Sequence, residues 1–121
     1  MDSRVAEPTL VFLHGWGLHG GIWSETAPLF DGRFICLAPD LPGYGEVASV
    51  VPYNAETLAD ALAATLPDAA AVCGWSLGGM VALALAARHP HKVSRLVLVA
   101  TNPAFVNRPD WPHGLAPEVL A

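Results

Sequence analysis

Four short apolar runs punctuate the chain, at residues 9–13 (TLVFL), 34–38 (FICLA), 69–73 (AAAVC) and 96–100 (LVLVA). Their hydrophobicity is continuous, not alternating, which is the pattern of parallel strands covered on both faces. The stretches between them read as helices. Residues 21–30 form the shortest. Residues 55–66 carry Leu58, Leu62 and Leu66 at i, i+4 and i+8 behind Asn54 as N-cap, and residues 77–89 are stopped by Pro90. Strand and helix in regular alternation predict an α/β domain, a three-layer α/β/α arrangement around a mostly parallel sheet with right-handed crossovers.

In such a sheet the ligand site lies at the carboxyl ends of the strands. Those ends read His14-Gly15-Trp16-Gly17, Pro39-Asp40-Leu41-Pro42-Gly43, Gly74-Trp75-Ser76 and Thr101-Asn102-Pro103. After Ala100 the character changes, with four prolines in 21 residues and no strong period. The chain is therefore expected to divide into a leader (1–8), a strand and helix core (9–100) and a loop (101–121).

Composition narrows the function classes. The 121 residues are one domain's worth, 53% hydrophobic and 14% charged, which suits a compact buried sheet. A net charge of −5 with six scattered Lys and Arg offers no basic footprint, so nucleic-acid binding is not expected. No apolar run reaches the roughly 18 residues of a membrane span. MDSRVAEPTL lacks the apolar stretch of a signal peptide, so no membrane association and a cytoplasmic location are expected. Cys36 and Cys73 both sit inside apolar runs and read as free buried thiols. No Cys/His cluster has ligand spacing, so neither a metal nor another cofactor is implied.

The chemistry concentrates in CGWSLGGM, residues 73–80. A G-x-S-x-G turn leaves a strand, exposes a side chain and enters a helix within a few residues, which forces its serine into a strained backbone conformation. Positions two before and two after must then be small. Gly74 and Gly78 meet that need, and Gly79 lets the helix pack closely. A serine at a helix N-terminus sits where negative charge is stabilised. The backbone N–H of Leu77 is one candidate oxyanion donor, and HGWG supplies a second in the N–H of Trp16. These features make Ser76 the candidate nucleophile. Trp75, just before the serine, and Trp16, within HGWG, are candidate pocket walls.

LVFLHGWG, APDLPGYG, GWSLGG and RLVLVAT, in that order, resemble the front half of an α/β-hydrolase. HGWGLHGGIW, Trp75 before the serine, HPHKVSRLVLVATNPAF and DWPHGLAPEVL are similar to one branch of that family, the carboxylesterases of biotin synthesis. These cleave the methyl ester of a pimeloyl chain carried on acyl carrier protein. The resemblance implies a partial α/β-hydrolase fold, with an acyl-enzyme on Ser76, oxyanion N–H groups from Trp16 and Leu77, and Trp75 lining the acyl site. It implies a small acyl ester as substrate.

A serine hydroxyl needs a histidine to take its proton and a carboxylate to hold that histidine. His89 and His91 fall at the far end of the helix that Ser76 starts, roughly 20 Å away at 1.5 Å per residue. His14, His19 and His113 are the weaker candidates for a base, and Asp40 reads as fixing its own turn. In the resembled family the acid and histidine follow two later strands beyond a helical lid, so residues 101–121 are expected to lead toward a lid. Two other readings stay open: another esterase, thioesterase or acyltransferase with the same elbow, and a truncated, catalytically inactive remnant with exposed sheet edges.

Overall fold

A computed structural model of the chain describes residues 7–103, 108–110 and 112–113. The expected leader and the proline-rich tail lie largely outside the described residues. Four strands, β1 (Thr9–Leu13), β2 (Ile35–Leu37), β3 (Ala70–Trp75) and β4 (Val93–Val99), form one sheet in the order β2-β1-β3-β4. Every neighbouring pair is parallel. Leu13 is opposite Gly74, and Trp75 is opposite Val99, so β1, β3 and β4 end level with one another.

Side chains alternate across the sheet. Val11, Leu13, Ala70 and Val72 join one core with Leu58 and Leu62 of α1 (Ala55–Ala63) and Val81 and Leu85 of α2 (Leu77–Arg88). Burying each such leucine stabilises the fold by roughly 1.5–3 kcal/mol. On the opposite face Phe12 stacks on Trp23 at 4.8 Å between ring centroids and tilts against Phe30 at 6.0 Å. Both α-helices thus cover one face of the parallel sheet, and residues 20–30 cover part of the other, the layering of a partial α/β/α fold.

Three elements depart from the pattern reading. Residues 21–30 form two short 3-10 turns, Gly20–Trp23 and Ala27–Phe30, in place of one helix. The i→i+3 bonds Ser24 N–H to Gly21 C=O (3.1 Å) and Thr26 N–H to Trp23 C=O (3.0 Å) set the tighter winding. Pro28 then withholds the N–H that would continue an α-helix. α1 ends at Ala63, where the N–H groups of Thr65 and Leu66 and the Thr65 hydroxyl converge on the Leu62 carbonyl ahead of Pro67. β4 starts at Val93, earlier than the apolar run, because an edge strand tolerates the exposed Ser94 and Arg95.

Asn54 caps α1 as expected. Its side chain accepts the Thr57 N–H at 2.8 Å while Thr57 Oγ1 accepts the Asn54 N–H at 3.2 Å, a reciprocal box. At the other end of the helix pair, Arg88 donates two bonds to Asp60 (2.9 and 2.7 Å) and His89 Nε2 lies 2.7 Å from the same carboxylate. The bonds from Arg88, then His89, hold the Asp60 carboxyl well below the usual carboxylate range. Cys36 and Cys73 are both free, with β1 between their strands. No helix among the described residues is long and apolar enough to cross a membrane.

Candidate active site at the carboxyl ends of the strands

Ser76 stands between the end of β3 and the first turn of α2 with φ 57° and ψ −116°, a conformation that a residue with a Cβ rarely adopts. The surroundings hold it there. Its N–H donates to the Val99 carbonyl at 3.0 Å, and its carbonyl accepts from the N–H groups of Gly79 (2.9 Å) and Met80 (3.3 Å). The Thr101 hydroxyl donates to the same carbonyl at 2.6 Å. The Ser76 side chain makes no capping hydrogen bond to α2, so its hydroxyl is not engaged in ending the helix.

The elbow glycines are fixed by close approach. A Cβ on Gly74 would run into the backbone of Gly78 across the turn, and one on Gly78 into the carbonyls of Leu13 and His14. At Gly79 the obstacle is the Thr101 side chain. The turn is thus closed against β1 on one side and against the end of β4 on the other.

The loop after β1 abuts the elbow directly. A methyl on Gly15 would lie 3.2 Å from the Trp75 ring and 3.4 Å from Ser76 Cβ. Three bonds from the loop after β2 fix this loop. The Leu41 N–H donates to His14 Nε2 at 2.9 Å, the Gly20 N–H to Asp40 Oδ1 at 2.7 Å, and the Gly17 N–H to the Tyr44 hydroxyl at 3.2 Å. Asp40 was expected to fix its own turn; it reaches the neighbouring loop instead. Among the described residues neither the Trp16 nor the Leu77 N–H donates to a backbone carbonyl: Trp16 sits at a turn, and Leu77 is the first helical residue, with no helical turn before it to supply an acceptor. The Trp16 side chain is 71% exposed, while Trp75 is half-buried against Gly15.

The histidines divide sharply. His14 is fully buried and both ring nitrogens are committed, Nε2 to the Leu41 N–H and Nδ1 to the Gly15 carbonyl at 2.8 Å. Accepting at Nε2 requires the proton on Nδ1, so no lone pair is left for Ser76. His19 Nδ1 accepts the Gly21 N–H at 3.0 Å and caps the first 3-10 turn. His89 faces Asp60 at the distant end of α2. Among the described residues no three His, Cys, Asp or Glu side chains are grouped to hold a metal ion.

Sequence reasoning passed over Thr101 and Tyr44 as site residues. Thr101 follows a strand end and Tyr44 lies within PDLPGYG, positions whose importance only the tertiary bonds reveal.

A parallel sheet with a strained serine between strand and helix defines a class, and the family comparison agrees: the model described as the alpha/beta hydrolase fold matches residues 8–118. The chain belongs to the α/β-hydrolase family. It is 53% identical over 114 residues to the pimeloyl-[acyl-carrier protein] methyl ester esterase of Aromatoleum aromaticum, covering 90% of this chain and 45% of that protein. The protein of the same name from Chromobacterium violaceum is 50% identical over 109 residues, with 90% of this chain and 43% of that one covered. Among solved structures, a thermophilic esterase from Thermogutta terrifontis superposes with a TM-score of 0.72 at 27% identity, over 86% of this chain and 41% of the other. The chain thus spans less than half the length of these relatives.

Proposed function

We propose that Ser76 is the nucleophile of a carboxylic ester hydrolase working through an acyl-enzyme. One observation carries the reading: a serine at φ 57° and ψ −116°, free of capping duty, at the positive end of a twelve-residue helix. Its Oγ attacks the ester carbonyl carbon. The oxyanion that forms is met by the N–H groups of Leu77 and Trp16, the C–O bond to the alcohol breaks, and the alkoxide leaves with a proton as the alcohol. Water then attacks the acyl-enzyme and releases the acid. His14 serves as a clamp on the loop that carries Trp16, and Trp75 walls the acyl site. In this reading a histidine takes the Ser76 proton, a role for which neither His14, engaged at both ring nitrogens, nor His89, at the far end of α2, is placed.

The substrate reading is the methyl ester of a pimeloyl chain on acyl carrier protein, with methanol as the leaving alcohol. The relatives' names at 53% and 50% identity support it. Two free thiols fit a reducing, cytoplasmic compartment.

The test has two arms. A fluorophosphonate probe should modify Ser76 in preference to Ser24, Ser49 and Ser94, as read by peptide mass spectrometry, and Ser76→Ala should remove the adduct. An adduct spread evenly over the serines would overturn the nucleophile. Release of methanol from methyl-pimeloyl carrier protein, above a Ser76→Ala blank and faster than thioester cleavage, supports the methyl ester. Preference for the thioester would move the assignment to a thioesterase on the same elbow.

A further inference from the structure

Thr101 is the first residue beyond β4 and its neighbour Ala100, and it touches the elbow twice. Its hydroxyl donates to the Ser76 carbonyl at 2.6 Å. Its side chain also occupies the space that a Cβ on Gly79 would need. From the same strand end, the Val99 carbonyl takes the Ser76 N–H at 3.0 Å. Both polar groups of the Ser76 backbone are therefore held by one segment, residues 99–101. That segment is separate from the helix whose N-terminus offers the Leu77 N–H.

The consequence follows from the dihedrals. With φ at 57° and ψ at −116°, Ser76 lies in a high-energy region that persists only when neighbours over-determine it. Rotation about ψ toward a relaxed conformation would swing the Ser76 carbonyl, and with it the Leu77 N–H, which belongs to the same peptide plane. The Gly79 and Met80 N–H groups belong to α2 and would move with the helix. The Thr101 hydroxyl is anchored to the sheet. It is the side chain that ties the 76–77 peptide plane to something that does not move.

We propose that Thr101 is a positioning residue for the nucleophile, locking the Ser76–Leu77 peptide so that Oγ and the Leu77 oxyanion donor keep one relative orientation. This deepens the reading of Ser76 as nucleophile and rests on it. The hydroxyl is the working part. The methyl group fills space beside Gly79, and a valine would keep that space filled while removing the donor.

The experiment compares the full chain as wild type, Thr101→Val and Thr101→Ser. Two readouts are needed: fluorophosphonate labelling of Ser76, with imidazole supplied as external base, and amide hydrogen exchange at Ser76, Gly79 and Met80. Thr101→Val should slow labelling by about 3- to 10-fold, the equivalent of one lost hydrogen bond. It should also speed exchange at Gly79 and Met80, while amides of α1 exchange as in wild type. Thr101→Ser should restore both. Wild-type labelling and exchange in Thr101→Val would overturn the positioning role. Equal acceleration of exchange across α1 and α2 would also overturn it, by reducing Thr101 to a general packing residue. Absence of preferential Ser76 labelling in the wild type would instead overturn the nucleophile itself, an outcome distinguishable from the other two.

Discussion

The Leu41 backbone N–H donates to Nε2 of the buried His14 across 2.9 Å. The bond joins the loop after β2 to the loop after β1, and the second ring nitrogen closes on the Gly15 carbonyl. His14→Phe keeps a ring of similar size, orphans the Leu41 N–H and leaves the Gly15 carbonyl with the Leu18 N–H at 3.3 Å. Leaving that buried donor unmet should cost about 2 kcal/mol, measured as a fall in denaturation midpoint with an unchanged slope. His14→Gln retains an acceptor and a donor and should recover part of the loss.

Backbone strain at Ser76 gives a second prediction. Gly adopts positive φ without penalty, whereas Ala keeps the Cβ. Ser76→Gly should therefore be more stable than Ser76→Ala by about 1 kcal/mol, relief of strain outweighing the extra chain entropy. Both variants should be unlabelled by the fluorophosphonate. Equal stabilities by chemical denaturation would mean that the turn is relaxed.

The Asp60 carboxyl is lowered by its bonds from Arg88 and His89. A depressed carboxylate binds its proton more readily in the unfolded chain than in the folded one. The pair's contribution is thus present above the unfolded value of about 4 and is lost as pH falls below it. Asp60→Asn should lower the melting temperature at neutral pH and converge with wild type in acid. Because the pair is solvent-exposed, added salt should narrow the neutral-pH gap.

With His14 committed to two bonds and His89 paired with Asp60 at the far end of α2, Ser76 labelling in this chain should be slow and should rise with added imidazole. The neutral imidazole fraction sets the rate, so the acceleration should grow between pH 6 and 8. Fast labelling indifferent to imidazole would place a base within the chain, and His19→Ala and His113→Ala would identify it.

Burial on both faces writes the continuous apolar run of β1, whereas the apolar runs of β2 and β4, expected to be covered on both faces, are largely exposed at the two edges of the described sheet. The 9–13 run and β1 coincide, and Asn54 sits where a polar cap must. Segment 21–30 was harder, because Ile22, Trp23, Leu29 and Phe30 give a helical apolar content whatever the winding, and Pro28 decides it locally. The start of β4 carries Ser94 and Arg95, which conceal a strand whose outer edge meets no neighbour among the described residues. The elbow's location was readable from its glycines. The bonds of Asp40, Tyr44 and Thr101 were not, since each joins segments at least 20 residues apart and leaves no local pattern.

The parallel pairing of Leu13 with Gly74 and of Trp75 with Val99 also acts as a ruler. Each residue along a parallel strand advances about 3.3 Å, roughly the length of one hydrogen bond. A single-residue slip of β1 on β3 would carry the Trp16 N–H past the reach of any oxygen that the Leu77 N–H still holds. It would also turn Val11 and Leu13 toward the wrong layer. Misalignment large enough to spoil the proposed chemistry is therefore large enough to spoil the core, and a chain that buries its apolar residues correctly has aligned the two proposed oxyanion donors in the same step.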